Sequence, residues 1–112
     1  VILCVEDEPA VLEALIRDLA AFESHFWILS AASAAEARSL LIAPDVSHRK
    51  LALVLCDHLM PGESGTDFLI ALNQTPATQH AKKVLVTAQA GLADTVRAVN
   101  EAGLDHYLAK PW

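Results

Sequence analysis

Short apolar runs recur along the chain, and four of them end in a polar group. Val1-Ile2-Leu3-Cys4-Val5 runs into Glu6-Asp7, and the run over residues 51–56 closes on Asp57. The run over residues 83–86 ends in Thr87-Ala88, and that over 106–109 ends in Lys110-Pro111. Continuous apolar runs of this length fit strands buried on both faces. Residues 26–31 supply one more strand, giving predicted strands at 1–5, 26–31, 51–56, 84–87 and 106–109. Between them the apolar spacing turns helical. Pro9 suits a first helical turn, and Val11, Leu12, Leu15, Ile16 and Leu19 share a face. Ser33 with Glu36 three residues on is a capping box, followed by Ala37, Leu40 and Leu41. Phe68, Leu69 and Leu72 mark a third helix after a turn at 61–65. Leu92, Val96 and Val99 mark a fourth, closed by Gly103 as a C-terminal cap. Residues 44–50 read as a polar loop, and 73–80 as a loop containing Pro76. Strands alternating with helices predict an α/β fold: a doubly wound parallel sheet with right-handed crossovers and helices on both faces.

Ligands of open parallel sheets bind at the C-terminal edge of the strands, where this chain delivers its polar groups. Glu6, Asp7 and Asp57 would meet there as three carboxylates. Two unit charges about 4 Å apart repel by roughly 4 kcal/mol at an effective dielectric of 20, so the cluster calls for a cation. Hard oxygen ligands open to water suit Mg2+. Lys110 adds a second positive charge. A carboxylate beside a metal ion and an ammonium is set up for phosphoryl transfer, with Asp57 attacking and Thr87 donating to a phosphoryl oxygen.

Composition narrows the classes. The 112 residues fit one domain, and 54% hydrophobic content supplies a core. A net charge of −6, from 14 acids against 8 Lys plus Arg, argues against direct nucleic-acid binding. Cys4 and Cys56 lie inside apolar runs and read as buried, reduced thiols. No apolar run approaches the roughly 20 residues that span a bilayer, and Val1 opens a core strand rather than a signal peptide. A cytoplasmic location is the expectation. The chain begins without Met and stops two residues after Lys110, so the natural chain is expected to continue past Trp112.

Taken as a set, these motifs resemble the receiver domain of two-component response regulators. They are Glu6-Asp7 after the first strand, Asp57 with Met60-Pro61-Gly62 and Gly65, Thr87-Ala88, and Tyr107 with Lys110-Pro111. The resemblance covers residues 1–112 as a single receiver domain. It implies a flavodoxin-like five-stranded sheet in the order 2-1-3-4-5. It implies that Asp57 is the phosphoacceptor and that Asp7, Asp57 and the backbone carbonyl of Leu59 bind Mg2+, with Glu6 acting through water. Lys110 would be the amine of the pocket, and Thr87 with Tyr107 the switch pair. The implied partners are a sensor histidine kinase or phosphotransfer protein and an unknown output domain or partner, with homodimerisation open. The chain would catalyse only its own phosphorylation and dephosphorylation. Two departures stand out: Glu6 replaces the more frequent aspartate, and the family's fifth helix is missing. Without that helix, apolar surface on strands one and five would be bare.

Plainer readings stand beside these. Asp57 could be a turn cap, and Glu6 and Asp7 first-turn acids of the Pro9 helix. Thr87 could be an ordinary strand-end residue, Lys110 a solvated charge, and Tyr107 core packing with its hydroxyl out. His25, His48, His58, His80 and His106 lie in five separate segments and read as ordinary positions. His58, next to Asp57, could tune the pocket, but its side chain should point away from Asp57 if strand alternation persists. Gln89, two positions after Thr87, would lie near the path of the water that removes the phosphoryl group and so affect its lifetime. Three other functions compete. An aspartyl phosphatase would want a second acid where Leu59 stands. A nucleotide or flavin binder would want a Gly-rich loop where Glu8-Pro9 stands. An unphosphorylated docking module would not need every pocket residue.

Overall fold

The computed structural model describes residues 1–58, 60–87, 97 and 99–109, with the backbone alone described for Thr87 and for 106–109. Its centre is a parallel sheet of β1 (Ile2–Val5), β2 (Ile28–Ala31), β3 (Leu53–Asp57), β4 (Lys82–Thr87) and β5 (His106–Ala109). The strand order is β2-β1-β3-β4-β5, and every pairing is parallel. This is the order that the family resemblance implied. Helices α1 (Pro9–Leu19), α2 (Ala34–Ile42) and α3 (Gly65–Asn73) connect the strands.

Alternation along the strands builds a core on each face of the sheet. Ile2 and Cys4 of β1 face α1 and cluster with Leu15, against which Leu12, Ile16, Leu19, Leu53 and Leu55 pack. Leu3, Val5, Val54, Cys56 and Leu85 face the other way, onto Ala34, Ala37, Phe68, Leu69 and Leu72 of α2 and α3. Phe68 is fully buried, a burial that contributes about 1.5–3 kcal/mol. The expected bare apolar surface is absent from strand one, because Ile2 and Cys4 are 5% and 0% exposed beneath α1. The side chains of strand five lie outside the described residues.

Several boundaries move. The second strand starts at Ile28, leaving Phe26 and Trp27 exposed. The indole of Trp27 instead lies under the Arg49 guanidinium, 3.8 Å from the ring centre. β3 begins at Leu53 and takes in Asp57, and β4 begins at Lys82. The loop at 44–50 is not wholly polar in its packing, since Val46 is buried in the core. Most of the predicted fourth helix lies outside the described residues. Residues 99–101 are helical, and Gly103 after them has φ +65°, as a C-terminal cap requires.

Helix α2 starts as its sequence predicts. The Ser33 hydroxyl accepts from the Glu36 N–H at 3.1 Å, while the Glu36 carboxylate accepts from the Ala32 N–H. Ser33→Ala should cost about 1 kcal/mol, read as a lower urea midpoint at unchanged slope.

Lys83 opens the apolar run of β4. It is buried at the N-terminal edge of the sheet, its ammonium donating to the carbonyls of Gln79 (3.1 Å) and Ala81 (2.9 Å). Its backbone N–H donates to Asp105, which also pairs with Lys82. Burial lowers the Lys83 pKa, and the nearby Asp105 charge partly opposes that shift.

Both cysteines are buried free thiols. Burial pushes the Cys4 thiol from 9.0 up to about 11. The unfolded thiol therefore ionises first as pH rises. Stability from the neutral buried thiol is complete below pH 9.0 and is lost as pH climbs towards about 11. Urea unfolding across this window should show the stability advantage of the parent over Cys4→Ala shrinking with pH.

Candidate functional site

Adjacent strands and a shared register build the site. β1 and β3 are neighbours, with Val5 opposite Cys56, so the residues that follow, Glu6 and Asp57, emerge side by side. The Glu6 N–H donates to the Ala31 carbonyl (3.0 Å), extending the β1 path one residue beyond the strand. One Glu6 carboxylate oxygen accepts from the Asp7 N–H at 3.1 Å. Asp57 is the last residue of β3 and pairs with Val86.

The three carboxylates meet. One oxygen each from Glu6, Asp7 and Asp57 lie within 4.8 Å of one another. Glu6 is 1% exposed and Asp57 6%, while Asp7 is partly open to solvent. Two of three acids buried together is not the pattern of solvated surface acids. Octahedral Mg2+ at 2.0–2.1 Å sets neighbouring ligand oxygens about 3 Å apart and opposite ones about 4.2 Å. The observed spread fits such an ion after slight closure, or with water carrying one contact. Cys56, the residue before Asp57, feels this field. Burial, and then the charges of Asp57, Glu6 and Glu63, push its thiol pKa upward.

Helix α3 packs directly on the back of the acceptor strand. Gly65 opens the helix, and its N–H donates to the His58 carbonyl at 2.9 Å. A Cβ placed on Gly65 would fall 1.9 Å from the Asp57 carbonyl oxygen. The helix is capped by the Ser64 hydroxyl, which accepts from the Asp67 N–H. Glu63, just before the cap, receives two hydrogen bonds from Arg38 of α2, at 3.0 and 2.6 Å.

The remaining predicted residues are placed in part. Thr87 ends β4, one position beyond the Val86 that pairs with Asp57, so its backbone stands at the same sheet edge. Tyr107 pairs with Leu85, but its side chain and that of Thr87 lie outside the described residues. So do Leu59, Gln89 and Lys110. His58 departs from the reading of an ordinary, solvated position. Its ring is buried and lies 2.8 Å from the Thr66 hydroxyl on α3. No local pattern signals that pairing, because eight residues and a turn separate the partners. His25, His48 and His80 are exposed, as expected.

Comparison with known proteins agrees with this geometry. The family model described as response regulator receiver domain matches residues 2–112. The hydrogenase transcriptional regulatory protein HoxA of Cupriavidus necator is 34% identical over 99% of this chain. The chain spans 21% of the length of that relative. Among solved structures, a response regulator receiver domain protein from Methanospirillum hungatei superposes with a TM-score of 0.80 at 30% identity, covering 99% of this chain and 81% of that one. A signal receiver domain of an HD domain-containing protein from Pseudomonas fluorescens gives 0.85 at 26% identity, covering 99% and 82%.

Proposed function

We propose, since this chain belongs to the response regulator receiver domain family, that Asp57 is the residue on which it takes a phosphoryl group. One observation carries the assignment. Asp57 ends a central strand with its carboxylate within 4.8 Å of those of Glu6 and Asp7. A carboxylate oxygen of Asp57 attacks phosphorus as the bond from phosphorus to the donor breaks. The donor leaves with the electron pair, and Asp57 becomes an acyl phosphate. Asp7, Asp57 and the Leu59 carbonyl would hold Mg2+, with Glu6 acting through water. When bound, the ion supplies positive charge to the crowded oxygens. Lys110 offsets phosphoryl charge, Thr87 donates its hydroxyl to a phosphoryl oxygen, and Tyr107 serves as the second half of the switch.

The donor is a sensor histidine kinase or phosphotransfer protein, and the recipient of the signal is an output domain or partner. The chain turns over only its own phosphoryl group. Residues 1–112 act as one receiver domain. No helix among the described residues is long and apolar enough to cross a membrane, and a cytoplasmic setting accords with that.

Incubation with Mg2+ and acetyl phosphate, read by intact mass, tests the proposal. The expected product is one base-labile adduct with the mass of a single phosphoryl group, lost when a chelator is added. No adduct, or one that persists without divalent metal, would overturn the assignment.

A further inference from the structure

We propose that the buried His58–Thr66 pair is a positioning device that holds the acceptor loop in the geometry that binds Mg2+. The proposal rests on the phosphoacceptor reading above and assigns two residues to it that the motif set does not contain.

The residues after Asp57 leave β3, cross the sheet edge and return as α3. Two bonds join the two ends of this arc, and a third ties it to the neighbouring strand. The His58 N–H donates to the Val86 carbonyl at 3.2 Å, tying the loop's first residue to β4. The Gly65 N–H donates to the His58 carbonyl at 2.9 Å. The His58 ring nitrogen Nδ1 and the Thr66 hydroxyl then lie 2.8 Å apart, at residues 6% and 0% exposed. His58 is thus held by both backbone groups and by its ring. Asp57 precedes it and Leu59 follows it directly.

Alternation at a strand end sends consecutive side chains to opposite sides. Fixing the His58 ring against α3 therefore fixes the opposite direction for the Asp57 carboxylate, towards Glu6 and Asp7. A buried hydroxyl and imidazole also resist separation, since their hydrogen bond would break without water taking its place. Groups that orient metal ligands without touching the metal typically change affinity 10–100-fold when removed. The Arg38–Glu63 bonds hold the far side of the same arc but are more exposed, so the His58–Thr66 pair is the stiffer restraint.

The test uses the chain itself, with Thr66→Val, which replaces the hydroxyl by a methyl of the same shape, and His58→Leu, which opens the pair from its other end. Thr66→Ser restores the hydroxyl. Mg2+ is titrated against amide NMR shifts, folding is checked by circular dichroism, and acetyl phosphate labelling is timed at low and saturating Mg2+. Thr66→Val and His58→Leu should each bind Mg2+ roughly 10-fold more weakly. Labelling should slow at low Mg2+ and recover when the ion saturates, and Thr66→Ser should behave like the parent. The proposal fails if the folded variants bind Mg2+ as the parent does, if Thr66→Ser does not restore affinity, or if neither opened variant folds. A parent that binds Mg2+ and is labelled, with unaffected variants, sinks the pair alone. A parent that binds no Mg2+ sinks the pocket reading and the pair with it.

Discussion

Asp57→Asn should abolish labelling by acetyl phosphate completely. The amide matches the carboxylate in shape but lacks the anionic oxygen that attacks phosphorus, and no second carboxylate replaces it at that strand end. Glu6 is buried and accepts from its neighbour's N–H, and Asp7 lies a residue further along. The same substitution removes one of three clustered negative charges. It should therefore raise the unfolding midpoint in chelator, because like charges crowded at low solvent exposure repel. Added Mg2+ should stabilise the parent by mass action and the variant much less. Intact mass and thermal melts with and without Mg2+ read both effects. A labelled Asp57→Asn protein would place the phosphoryl group elsewhere.

Gly65→Ala should disrupt fold and site together. The new methyl carbon would stand 1.9 Å from the Asp57 carbonyl oxygen and 2.7 Å from its carbon. Both are backbone atoms of a central strand, so no flexible side chain can yield. Overpacking at ordinary core sites costs about 1–3 kcal/mol and occasionally more. With backbone on one side and a helix start on the other, the loss should reach at least about 3 kcal/mol. Urea unfolding measures it. Any folded fraction should bind Mg2+ more weakly, because α3 must back away from the strand that carries the acceptor.

Much of this arrangement was readable because it follows from local rules. Continuous apolar runs marked buried strands, Ser33 and Glu36 announced a helix start, and the acids stood where the runs stopped. The sheet order came through resemblance, since periodicity alone does not rank strands. What escaped depends on contacts distant in sequence. Lys83 looked like the polar start of a strand, yet its ammonium is satisfied by carbonyls of the preceding loop. Val46 sat in a polar stretch but fills a gap in the core. The partner of His58 was hidden, because Thr66 meets it only after the chain turns into α3. Phe26 and Trp27 carry strand-forming side chains, but β2 is an edge strand. Its pairing with β1 begins at Ile28, and no strand among the described residues pairs with its outer side.

Strand β4 runs from the buried lysine to Thr87, four residues apart and so about 13 Å at 3.3 Å per residue. The buried lysine and the sheet edge that carries Asp57 thus lie at opposite ends of the strand. Substitutions around Lys83 and Asp105 therefore bear on the stability of the sheet from the end remote from the carboxylates.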